Sequence, residues 1–134
     1  MATQEFFLEC KLAPGLAPAS YASAQTGAAV DSTGWEATTY ILDVGAWTSG
    51  AMTGVKLQEC ATLGGTYTDV AASDMVTDFP GAGIVGATTN NTQYKVAYTG
   101  SRPFTKLVTI GTQTVIFGAF ALLTSPRDLG GALL

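Results

Sequence analysis

Trp35-Glu36-Ala37-Thr38-Thr39-Tyr40-Ile41-Leu42-Asp43-Val44-Gly45-Ala46-Trp47 is the stretch that sets the fold class. Successive side chains of an extended strand point to opposite faces, so Tyr40, Leu42, Val44 and Ala46 share one side and Thr39, Ile41, Asp43 and Gly45 the other. Thr48-Ser49-Gly50 interrupts the pattern. It resumes over Met52 to Cys60, where Val55 and Leu57 alternate with Lys56 and Gln58. Two half-buried arms around a Gly-containing break predict a hairpin.

Outward from this stretch the punctuation stays that of β structure, with short β-branched and aromatic runs between Gly, Pro, Asn, Ser and Thr clusters. Toward the C-terminus, Leu63-Gly64-Gly65-Thr66 reads as a turn and Tyr67 to Val70 as a short strand. Ala71 to Phe79 is the one candidate helical turn, with Met75 and Phe79 at i, i+4 and Ser73 or Asp74 as a cap. Gln93 to Thr99 turns Tyr94, Val96 and Tyr98 inward, against Lys95 and Ala97. Phe104 to Ile110 follows, then a turn at Gly111-Thr112-Gln113. Thr114 to Thr124 is apolar on both faces, which places it in the middle of a two-layer core or beneath a partner chain.

Toward the N-terminus, Asp31 to Gly34 is a turn, and the Ala- and Ser-rich run from Tyr21 to Val30 fits no element clearly. Glu5 to Leu12 is a first strand closed by the loop Ala13 to Pro18. About seven or eight short strands with frequent turns predict an all-β protein, a β-sandwich or jelly-roll-like single domain over 1–134. Residues 1–4 and 125–134 are expected to be extended arms.

A chain of 134 residues and 13.7 kDa fits one domain and buries enough surface to need no metal or disulfide. Its 47% hydrophobic and 12% charged residues argue against disorder and for surface hidden in contacts beyond its own core. The net charge of −4 and the six scattered basic residues exclude the clustered cations that nucleic-acid binding needs. No apolar run approaches the ~20 residues of a membrane span, and Met1 to Cys10 lacks the basic start of a signal peptide. The two cysteines, Cys10 and Cys60, are then expected as free thiols, with a bridge between them as the alternative.

Histidine is absent, so no Ser-His-Asp or Cys-His nucleophile can form and no ordinary zinc site is available. Glu36, Asp43 and Glu59 are candidates for a glycosidase-type carboxylate pair, and the plainer reading is solvated strand residues. Gly81-Ala82-Gly83-Ile84-Val85-Gly86 spells the dinucleotide fingerprint. That motif acts only where a strand meets a helix, and the following Ala87-Thr88-Thr89-Asn90-Asn91 predicts turn and strand instead. Asp69, Asp74 and Asp78 could offer oxygens to calcium but lack the EF-hand spacing. Trp35 and Trp47 could stack on sugar, or could seal the core or an intersubunit contact. These readings leave no catalytic, cofactor-binding or metal-binding residue assigned, no cofactor, and a non-enzymatic protein.

One region is less generic. It runs Gly27-Ala28-Ala29-Val30-Asp31-Ser32-Thr33-Gly34-Trp35, then Val44-Gly45, Lys56-Leu57-Gln58-Glu59 and Thr66-Tyr67-Thr68-Asp69-Val70. This order resembles that of a family of small tailed-phage virion proteins, and Lys95 to Phe104 with the apolar strand and Pro126-Arg127 is similar to the same family's ending. The resemblance covers about Ser20 to Arg127. It implies a virion component made in the host cytoplasm, a capsid decoration (cement) protein that bridges neighbouring capsid subunits. The implied partners are the major capsid protein and copies of the chain itself, a homo-oligomer such as a trimer, with no nucleic acid and no membrane. A tail or neck component of the same particle and a carbohydrate-binding surface module are the alternatives.

Overall fold

The structure, a computed structural model, describes residues 9–77, 84–85 and 91–126, of which 51–54, 84–85, 112–113 and 126 are described by backbone alone. The chain is all-β and sandwich-like, as its alternation predicts. Its strands are β1 (Cys10–Tyr21), β2 (Val30–Asp31), β3 (Trp35–Cys60), β4 (Thr68–Asp69), β5 (Met75–Thr77), β6 (Ile84–Val85), β7 (Thr92–Tyr98) and β8 (Phe104–Pro126).

Two strands dominate, β3 with 26 residues and β8 with 23, paired antiparallel along nearly their whole length. The expected hairpin within 35–60 does not form. Instead β3 runs on through Thr48-Ser49-Gly50, and both of its arms pair with β8. The expected turn at Gly111-Thr112-Gln113 likewise lies inside β8. The two interruptions meet across the ladder, with Gly50 opposite Gln113 and Met52 opposite Gly111. Gly50 and Gly111 take φ of 77° and 125°, a region costly for a side chain, and register shifts fall between Val44 and Gly54. The ribbon therefore bends as a unit where either strand alone was expected to reverse.

Bending divides the ribbon into two layers. The first has the strand order β1-β8-β3-β7-β5 and uses 35–44 of β3 and the second half of β8. In the second, 55–60 of β3 pairs with the first half of β8, with β4 on one flank and β2 on the other. Tyr40, Leu42, Val44, Val96, Phe117 and Leu123 of the first layer meet Leu57 and Leu107 of the second in one buried core. The Tyr40 hydroxyl and Thr105 Oγ1, 2.8 Å apart, hydrogen-bond across it. Tyr98 also crosses, donating to a Glu59 carboxylate oxygen at 2.5 Å.

Both flanks are closed by backbone bonds. On one, Gly27 N–H donates to Leu107 O of the second layer while Ala28 N–H donates to Gly15 O of the first, each at 2.7 Å. On the other, Val70 N–H donates to Leu57 O at 2.9 Å, and Thr99 N–H donates to Asp74 O at 2.8 Å.

Several local expectations change. β1 starts at Cys10 and continues through the predicted loop, because Pro14 and Pro18 sit on a sheet edge where a missing N–H costs nothing. The predicted helical turn shortens to a 3₁₀ turn at Ala72–Asp74, and Met75 opens β5. Ser73 and Asp74 lie inside that turn, whose N-cap is Ala71 without a side-chain bond. Ser125 and Pro126, predicted to start an arm, end β8, with Pro126 in register with Trp35. Residues 1–8, 127–134 and Phe79 lie outside the described residues, so the predicted strand from Glu5 is tested only from Glu9 on.

Candidate interaction surface

The residues singled out for chemistry are dispersed by the fold. Asp43 lies exposed on the outside of the first layer and accepts a bond from Gln93 Nε2 at 2.8 Å. Glu59 stands in the second layer beneath Tyr98, and Glu36 is exposed near the start of β3. No two of these carboxylates share a cleft.

Asp69 is taken up by Lys56 Nζ and Gln58 Nε2, both at 3.0 Å, and these bonds hold its carboxyl below the usual range, the Gln58 bond first. Asp74 closes the 3₁₀ turn, and Asp78 lies outside the described residues. Among the described residues no group of three His, Cys, Asp or Glu could hold a metal ion. Within the glycine-rich run only Ile84–Val85 is described, as a strand against Ala51–Met52. Trp35 and Trp47 are half-buried and pack on the core, and Trp47 Nε1 donates to Gly50 O at 2.9 Å. Both cysteines are free thiols. Hydrogen bonding from the Thr62 backbone holds the Cys60 thiol below its ordinary range. No helix among the described residues is long and apolar enough to cross a membrane.

Cross-strand register assembles something else. In-register partners share a face, so Val76, Ala97, Thr39, Leu122 and Leu12 form one row across all five strands of the first layer. The next row is Lys95, Ile41, Phe120 and Pro14, and the third is Gln93, Asp43 and Gly118. All three lie on the outer side, because their strand neighbours Tyr40, Leu42, Val96, Phe117 and Leu123 fill the core. Leu12 (64% exposed), Val76 (63%), Ile116 (49%) and Phe120 (40%) are four of the chain's six exposed large hydrophobics among the described residues, and all stand on this side.

The opposite outer face mixes polar side chains with the exposed Ile110. There Lys56 pairs with Asp69, and Lys106 Nζ stands 4.1 Å from the Tyr67 ring centre.

A cleft of about 590 Å³ runs along β1, lined by Pro14, Pro18, Ile116 and Phe120 and, on the flank, by Gly27 and Ala28. Glycine lets the chain pack closely here: Gly118 is buried beneath Pro18, which a Cβ would meet at 3.1–3.2 Å, and a Cβ on Gly45 would come within 3.2 Å of the Ile116 side chain. Two-sided apolar character of β8 flagged Ile116 and Phe120 in the sequence. Leu12 and Val76 carried no such signal, because only strand pairing brings them to the same face.

Compared with protein-family models, curated proteins and solved structures, the chain matches none.

Proposed function

We propose that the protein is a structural component of a phage particle, a capsid decoration protein that stabilises the head by bridging neighbouring capsid subunits. The observation that carries this reading is the outer face of the first layer, where Leu12, Val76, Ile116 and Phe120 remain exposed on a rigid five-stranded sheet. Large hydrophobics left exposed on one face of a sheet support a contact with another protein. The motif order from Gly27 to Val70 supports a virion protein in particular. The dispersal of Glu36, Asp43 and Glu59, in a chain without histidine, supports a role that runs no reaction.

Burial of apolar area contributes roughly 25 cal/mol per Å² before association costs, so a modest contact repeated over a lattice adds up to substantial resistance to bursting. Electron microscopy of purified particles from cells making the protein tests the proposal. Density for the chain on the outer capsid surface in high copy is expected. Particles bearing none of it on the capsid overturn the reading, and a single ring at the neck reassigns the protein to the tail machinery.

A further inference from the structure

We draw no further inference here: the strongest candidate, the apolar cleft of about 590 Å³ that runs along β1 onto the outer face of the first layer, carries nothing because nothing in the structure shows what covers it.

Discussion

Tyr98 shows how much of the fold passes through single side chains. It is buried on β7, donates to Glu59 in the opposite layer, and accepts the Arg102 N–H at 2.9 Å. Burial first, and the Glu59 bond second, push its phenol up to about 12 from an ordinary 10.0. A raised phenol pKa means that the folded chain holds the proton more tightly than the unfolded one. The contribution is therefore complete below pH 10.0 and is lost as the pH climbs toward about 12. The midpoint of urea unfolding is expected to fall across that window, with Tyr40, also raised by burial, adding to the trend. Tyr98→Phe is expected to cost about 1–2 kcal/mol at neutral pH, because Glu59 and the Arg102 amide lose a partner. It should also flatten the alkaline decline, and a decline as steep as the wild type's would refute the assignment to Tyr98.

At the scale of elements, the flank closed by Gly27 depends on two backbones lying almost in contact. A Cβ there would stand 2.6 Å from Gly15 O and 3.2 Å from Leu107 O, and neither is a side chain that can swing aside. Gly27→Ala is expected to destabilise by about 1–3 kcal/mol through displacement of β1 or of the strip that follows it. Thermal unfolding followed by circular dichroism measures this, and an unchanged midpoint would mean that the close approach is not needed. Alternation along Trp35–Val44, Val55–Gln58 and Tyr94–Tyr98 made the strand faces legible, since a period of two depends only on neighbours in sequence. The bend was not legible. Thr48–Gly50 and Gly111–Gln113 each look like a reversal in isolation, and only their meeting across the ladder turns both into one fold line. The end of β1 was illegible for a related reason, since Pro14 and Pro18 read as a loop until the strand is known to lie at an edge. The candidate surface was half visible for the same cause. Ile116 and Phe120 announce themselves on a two-sided strand, while Leu12 and Val76 gain meaning only from register set by segments far apart in the chain.

For the whole molecule, the same ribbon runs through both layers, and this constrains how it comes apart. In a sandwich whose layers are built from separate strands, one layer can loosen while the other persists. Here β3 and β8 each contribute a half to both, and the Tyr40–Thr105 and Tyr98–Glu59 bonds tie the halves together. Opening either layer frees the strand ends that the other layer uses, so unfolding should be all-or-none. The two tryptophans are placed to read this. Trp35 sits at the Pro126 end of the ladder and Trp47 beside the bend, each half-buried against the core. Trp35→Phe leaves Trp47 as the reporter, and Trp47→Phe leaves Trp35. Within each single-tryptophan protein, urea transitions followed by fluorescence and by far-ultraviolet circular dichroism are expected to coincide. A fluorescence transition that leads or trails the circular dichroism in either variant would show that one end of the ribbon yields first, and the bend would then be a hinge between two units of separate stability.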